Sequence, residues 1–247
     1  MTEAQPSEDD DSHHGPTNGP TNGPLEAPGC WDDLYLYRGT EVVPHRPLIT
    51  GDVVEGVTIV GVSKEPETVI VLTHPCAMRT TGGALVERIM VAPVRAHPLI
   101  NPAQWTGFVR VMPLPELIPG QNYAAVFVDQ GPVPSAELSS GRRVACLSDT
   151  GISLLHQRLV NHMVRLTVPR GLLFETSAVV LSEVDLCEEW ITAAAGTGAN
   201  TDNAARSFEA WIREDVNGKT RQHRLQFPSE RAAIRRQMTL AVHANGW

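Results

Sequence analysis

The chain has 247 residues, 42% of them hydrophobic, so it can bury a core without help from disulfide bonds or a metal. Its formal net charge of −8 lies in residues 1–33, which hold eight acidic side chains and no Lys or Arg, while the rest of the chain is balanced. The net charge is therefore no argument against nucleic-acid binding. The four cysteines are widely spaced and form no C-x-x-C pair, which excludes a zinc ribbon, a thioredoxin motif and a disulfide scaffold.

The N-terminus indicates the compartment. The segment MTEAQPSEDDD is acidic, whereas a secretory signal is basic and then apolar, and no apolar run approaches the roughly 18 residues of a membrane span. We therefore expect a soluble, cytoplasmic protein with no membrane partner. Arginine outnumbers lysine by 18 to 2, which is typical of a GC-rich genome, and we expect a bacterial source.

Composition divides the chain into three parts. Residues 1–29 are predicted to form a disordered acidic tail, since Pro and Gly interrupt the TNGP repeat and almost nothing apolar is available for burial. A β-rich, barrel-like module is predicted over 30–147, and a helical module over 148–247.

The β-rich module contains six candidate strands separated by turn residues. They are spaced too closely for a ten-residue helix between them, which favours antiparallel pairing in a small barrel or sandwich. Glycines at 51, 56 and 61 predict bulges or a tight bend. The predicted strands are 51–62, 67–74, 86–96, 105–114, 122–130 and 141–148.

The hydrophobic period changes from two to about 3.6 after Ser148. Four helices are predicted, at 148–169, 172–196, 203–214 and 228–244. The predicted fold class is therefore α+β, with an antiparallel β-barrel-like or sandwich N-terminal half followed by an all-helical C-terminal half.

The candidate site begins at the end of one predicted strand, in VIVLTHPCAMR. Pro75 keeps His74 extended, so His74 and Cys76 share a face, and Arg79 follows. The first helix carries a polar stripe that could pack beside this strand end and complete a site for an anion. The predicted ligand-binding residues are His74, Cys76, Arg79, Arg158, His162 and Arg165.

Other interpretations of these residues remain open. Cysteine is usually buried and inert, and the arginine stripe is also typical of a solvated helix face. A cysteine-dependent enzyme would use Cys76 as nucleophile and His162 as base. Zinc would need His74 and Cys76 with partners from the set His97, Cys146, His156 and His162, but only one close pair exists. We predict no metal and no cofactor.

Residues 204–247 carry eight basic and four acidic side chains. Such a surface can bind nucleic acid, but it can equally pair with the acidic segment 183–189 or with the tail, and the modest excess favours pairing within the chain. The leading hypothesis is a binding or interaction protein, rather than an enzyme, with a pocket for a protein partner or a small anion where the β-module meets the first helix. The sequence does not predict an oligomeric state.

Overall fold

A computed structural model describes residues 24–80 and 83–247. The N-terminal half contains one sheet in the order β1-β8-β2-β3-β4-β6-β5, all antiparallel, and β7 also pairs with β4. The strands are β1 Tyr35–Arg38, β2 Asp52–Val57, β3 Glu67–Val71, β4 Arg88–Ala96, β5 Val111–Ile118, β6 Gln121–Val126, β7 Gly131–Pro134 and β8 Arg142–Leu147.

The sheet curls until its two edge strands meet. The Tyr35 hydroxyl of β1 donates to the Pro115 carbonyl of β5 at 2.8 Å, and the Arg38 guanidinium donates to the Glu116 carbonyl at 2.8 Å. At Gly56, whose φ is +83°, the register between β2 and β3 shifts, as expected of a bulge. The predicted barrel-like α+β architecture is confirmed.

Several details of the strands differ from the sequence prediction. Strand β1 was not among the six predicted strands, and the strand predicted over 51–62 ends at Val57. The strand predicted from residue 105 begins only at Val111, because Asn101 and Gln104 form a capping box that starts a 3-10 helix over Pro102–Gly107. The short strand β7 was not predicted because its sequence, GPVP, contains two prolines. It pairs with β4 alone, and an edge strand tolerates proline.

The C-terminal half is helical apart from a small hairpin, β9 Asp215–Val216 and β10 Lys219–Thr220. The Ser148 side chain caps the first long helix by accepting from the Gly151 amide at 3.1 Å, and Arg165 ends that helix in the left-handed conformation. The helices of this half are α2 Asp149–Val164, α3 Arg170–Gly196, α4 Thr201–Arg213, α5 Arg221–Arg224 and α6 Pro228–Ala244. The short helix α1, Ser135–Ser140, lies in the N-terminal half between β7 and β8 and was not predicted.

Helix α3 belongs to two hydrophobic cores. Its first half places Leu181 and Val184 in the barrel core, together with apolar residues of α2 such as Leu155. Its second half, around Trp190, packs with α4 and α6 in a separate core that includes Phe208. The predicted boundary at 147/148 therefore separates strands from long helices along the sequence, but α2 and half of α3 pack with the strands.

Buried charges also connect the strands to α3. Arg46, only 5% exposed, forms an ion pair with Glu188 and a longer one with Asp185 at 3.3 Å. The Tyr37 hydroxyl donates to the Glu188 carboxylate at 2.8 Å. Because neither partner of the Arg46–Glu188 pair is well solvated, removing one would leave an uncompensated charge, which fixes α3 against this side of the sheet.

The last residues of the predicted tail are packed against the helices. Leu25 is buried, and the Glu26 carboxylate accepts from the Gln157 amide at 2.9 Å. Residues 24–29 thus form part of the described fold, whereas residues 1–23, with the acidic run and most of the TNGP repeat, lie outside the described residues.

Gly151 marks the tightest contact between α2 and the β half. We expect Gly151→Ala to lower the free energy of unfolding by about 2 kcal/mol, because its Cβ would overlap the Leu34 carbonyl oxygen. Gly196→Ala is the control, since its Cβ would meet nothing within 4 Å and alanine favours a helix, so stability should rise by about 0.5 kcal/mol. Urea unfolding measures both changes, and equal stabilities of the two variants would contradict the contact.

Candidate functional site

His74 lies where β3 leads into a 3-10 helix over Pro75–Ala77. Its Nδ1 accepts the Cys76 amide at 3.3 Å, so the ring proton is on Nε2, which donates to the Ser177 hydroxyl at 3.2 Å. A ring with this tautomer cannot take a proton from Ser177. The imidazole also stacks on that of His156 from α2, with ring centroids 4.9 Å apart and planes inclined by 21°.

Cys76 is exposed, and its thiol donates to the Thr176 carbonyl of α3 at 3.7 Å. Partial burial raises the pKa of the Cys76 thiol. A cationic His and Arg beside a thiol would lower its pKa. Here the His74 ring presents its neutral Nδ1 to the Cys76 backbone amide, and burial of His74 lowers the pKa of its imidazole. The thiol therefore lacks the electropositive setting of a reactive cysteine.

Arg158 and His162 lie on a different side of α2 from His156. Arg158 is fully buried and donates to the carbonyls of Phe108 at 2.9 Å and Trp105 at 3.1 Å. A ring nitrogen of His162 lies 3.3 Å from the Val109 carbonyl. Arg158 is two residues from His156, about 200° around a helix, so residues that face the segment 105–109 do not face His74.

The six predicted residues are thus divided among four places. His74 and Cys76 contact the start of α3, Arg158 and His162 hold the segment 105–109, and Arg165 is exposed at the end of α2. Arg79 points to another part of the molecule, described below. No contact joins Cys76 to His162 among the described residues, so the nucleophile and base of the enzyme hypothesis are not assembled.

His156 was considered from the sequence only as a possible zinc ligand, but in the structure it is the stacking partner of His74. It is 5% exposed, and neither ring nitrogen has a hydrogen-bond partner among the described residues. Burial, with a smaller contribution from His74, lowers the pKa of His156 to about 4. In the sequence, His156 is simply a histidine within the amphipathic pattern of α2. That pattern does not show whether the imidazole has hydrogen-bond partners.

The paired histidines are not arranged as metal ligands. In nearly parallel stacked rings the nitrogen lone pairs lie in separate planes and do not converge on one point. Within 24–80 and 83–247, no three His, Cys, Asp or Glu side chains are grouped so that they could hold a metal ion.

Arg79 lines a cavity of about 390 Å³ between the β half and helices α3 and α4, which we name the junction cavity. Its guanidinium donates to the carbonyls of Gly83 at 3.0 Å and Leu48 at 3.3 Å, which fixes its direction. The remaining wall is mostly apolar and includes Val180, Val184, Cys187, Ile191, Ala205 and Phe208. Such a cavity, concave and apolar with a few polar groups, is typical of small-molecule sites.

The charged groups of the junction cavity are unequally paired. Glu209 forms an ion pair with Arg213 at 2.8 Å, and Glu183 accepts from the Gln222 amide at 2.9 Å. Burial raises the pKa of Glu183, and the hydrogen bond from Gln222 is the main opposing effect, with smaller ones from Arg213 and Arg79. In contrast, neither Arg79 nor Arg206 forms an ion pair within the described part of the chain. Two guanidinium groups that form no ion pair therefore line a mainly apolar cavity. Arg206 donates to the Asn203 side-chain oxygen, and Arg79 acts electrostatically on Glu183.

Four of the eight basic side chains in residues 204–247 form ion pairs within the described parts of the chain. One of these pairs, between α6 and α3, joins Arg235 to Glu189 in the acidic segment 183–189, as the sequence analysis favoured. The others lie within 204–247 and are Arg213–Glu209, Arg221–Glu214 and Arg224–Glu230. Pairing of this kind weakens the attraction that the same residues would exert on a phosphate backbone.

The chain matches no model of a known protein family, and a comparison with curated proteins finds no match. No helix in the described ranges is both long and apolar enough to cross a membrane. The chemistry of the junction cavity is consequently the basis for any statement about function.

Proposed function

We propose that this protein is a binding protein that holds a small amphipathic anion in the junction cavity. The observation that carries the proposal is Arg79, a guanidinium held in place by two carbonyl groups on the wall of a mainly apolar cavity of about 390 Å³. The same wall carries Arg206 and the carboxyl groups of Glu183 and Glu209, of which Glu209 is paired with Arg213. The apolar part of the ligand would contact the side chains of α3 and α4, and its anionic group would accept from Arg79.

The donor groups of Arg79 suit this ligand. A guanidinium has five N–H groups, and the two carbonyl bonds of Arg79 leave others available for an oxyanion. Arg206, exposed at the edge of the cavity, adds a second positive charge. A carboxylate, sulfonate or phosphate with a short apolar chain combines the two required properties.

The contacts of Cys76 favour binding over cysteine-dependent catalysis. The Cys76 thiol bonds to a backbone carbonyl, its pKa is raised, and His162 bonds elsewhere. All four cysteines are free thiols, which supports a cytoplasmic location as part of the proposal. A protein partner stays a prediction from the sequence.

Binding of octanesulfonate, compared with its uncharged analogue octanol, tests the proposal. Octanesulfonate should bind more tightly, and Arg206→Met should weaken its binding about fivefold while leaving octanol unaffected, because one partly solvated ion pair contributes about 1 kcal/mol. Isothermal titration calorimetry measures both affinities.

Two further variants make this test specific. Arg236→Met removes an exposed arginine of α6 that does not line the cavity, and it should change neither affinity. Ala205→Phe fills the apolar wall and should prevent binding of both probes. If neither probe binds the wild type, or if Arg206→Met and Arg236→Met behave alike, the cavity is not an anion site.

A further inference from the structure

The segment from His74 to Arg79 connects the stacked histidines to the junction cavity. At its start, His74 stacks on His156 and donates to Ser177, and Cys76 bonds to Thr176. At its end, Arg79 forms part of the cavity wall. Arg79 itself is held by its bonds to the Gly83 and Leu48 carbonyls and by a β-bridge to Leu85. The contacts that hold the first residues against α2 and α3 restrain the segment from its other end.

These contacts require both imidazoles to be neutral. Protonation of His74 would turn Nδ1 into a donor facing the Cys76 amide donor, and their hydrogen bond would be lost. Protonation of His156 would place a cation without a hydrogen-bond partner in a buried position, directly against the His74 ring. A proton on either ring therefore opposes the stacked arrangement.

No charged group of the described residues compensates for such a proton. The titratable groups that bond or stack at the contact are the two imidazoles and the Cys76 thiol. Helix α3 contributes the uncharged Thr176 and Ser177, and the exposed Glu175 precedes them in sequence. The one charge that acts on His156 is that of His74, which disfavours its protonation. A buried imidazole with both nitrogens unbonded also lowers stability.

We propose that the stacked pair His74 and His156 is an acid-sensitive latch on the junction cavity. When the pH falls, protonation separates the rings, the segment from His74 to Arg79 leaves α2 and α3, and the bound anion loses its contact with Arg79. The release step rests on the proposed anion-binding function, whereas the opening of the latch does not.

The size of the effect follows from proton linkage. Burial holds the pKa of His156 at about 4, against 6.5 for a solvated imidazole. If the ring regains its ordinary pKa on opening, the equilibrium between open and closed forms shifts about tenfold towards the open form between about pH 7.5 and about pH 5.5. His74, whose pKa burial also lowers, adds to the shift in the same direction.

Hydrogen exchange measures the opening without a ligand. The amides of Cys76, Ala77 and Met78 bond within this segment, so their protection factors, corrected for intrinsic exchange, report its release. In the wild type protection should fall about tenfold between pH 7.5 and 5.5, and in His156→Phe most of that fall should be absent. His243→Gln, at an exposed histidine of α6, should behave as the wild type does. An equal fall in His156→Phe, or no fall in the wild type, would overturn the latch.

Titration of octanesulfonate, which stays ionised at both pH values, then measures the release. The dissociation constant of the wild type should rise by up to about tenfold between pH 7.5 and 5.5, and that of His156→Phe should stay constant. If octanesulfonate affinity does not change with pH although the amides of Cys76, Ala77 and Met78 lose protection at pH 5.5, the latch opens without affecting the cavity. That result would overturn the coupling between the latch and anion binding. Absence of binding at pH 7.5 would instead refute the proposed anion site and with it the release, while hydrogen exchange would still decide whether the latch opens.

Discussion

Replacing Arg158 by methionine is expected to lower the free energy of unfolding by about 3 kcal/mol. The variant would leave three backbone carbonyls, those of Phe108, Trp105 and Glu26, without the donor that they now share. It would also remove the guanidinium that lies 4.7 Å from the centre of the Trp105 ring. Urea unfolding at pH 7.5 measures the difference.

Burial of the Arg158 charge itself lowers the stability of the folded chain, which opposes the loss expected in the methionine variant. The guanidinium is fully buried without a carboxylate partner among the described residues, and desolvation lowers its pKa to about 10, so removing the charge also removes a desolvation penalty. We expect the unpaired carbonyls to outweigh that gain. Arg165→Met, about two turns further along at an exposed position, is the matched control and should change stability by less than about 0.5 kcal/mol. A methionine variant at 158 as stable as the control would refute this account of the buried arginine.

Acidification is expected to destabilise the fold through His156. The pKa of this ring is about 4 in the folded chain and 6.5 when unfolded, so between these values the unfolded chain takes up a proton that the folded chain does not. The contribution of His156 to stability is therefore complete above about pH 6.5 and is lost progressively towards pH 4. Between about pH 7.5 and about pH 4.5 the loss is about 2.5 kcal/mol.

The His156→Phe variant isolates this contribution. Phenylalanine keeps an aromatic ring against His74 but cannot bind a proton, so urea unfolding of the variant should show a shallower decline with acid. Burial raises the pKa of Asp52 and of Glu183, and these carboxyl groups oppose the decline because the folded chain protonates them more readily. The measurement therefore compares the pH dependence of the free energy of unfolding in the wild type and in His156→Phe. Identical pH dependences would show that folding does not lower the pKa of His156.

Much of the fold could be predicted because the local signals agree with the packing. The stepping of apolar residues along the chain predicted α2, although the last two members of the pattern are exposed in the structure. That pattern is Ile152, Leu155, Leu159, Met163 and Leu166. The turn residues between β-branched runs predicted most of the strands. The 3-10 helix at Pro102–Gly107 was missed because its capping box competes with the β-forming residues that follow. The packing of α2 in the barrel core depends on contacts between residues that are distant in sequence, and the hydrophobic periodicity of a segment does not indicate such contacts.

The candidate site was predicted less well, for a geometric reason. A helical stripe shows that Arg158 and His162 share a face, but not which element that face contacts. Arg79 was named, yet its surroundings depend on α3 and α4, more than 100 residues away in sequence. His156 entered only as a zinc ligand, because its stacking on His74 is a tertiary contact.

Helix α3 gives the molecule a mechanical property. Its 27 residues pass from the barrel core to the core of α4 and α6, and its middle section forms one wall of the junction cavity. Any tilt of this helix must therefore disturb both cores at once and change the width of the cavity between them. The packing of the barrel core and the packing of the core of α4 and α6 therefore both restrict the movement of the cavity wall that α3 forms.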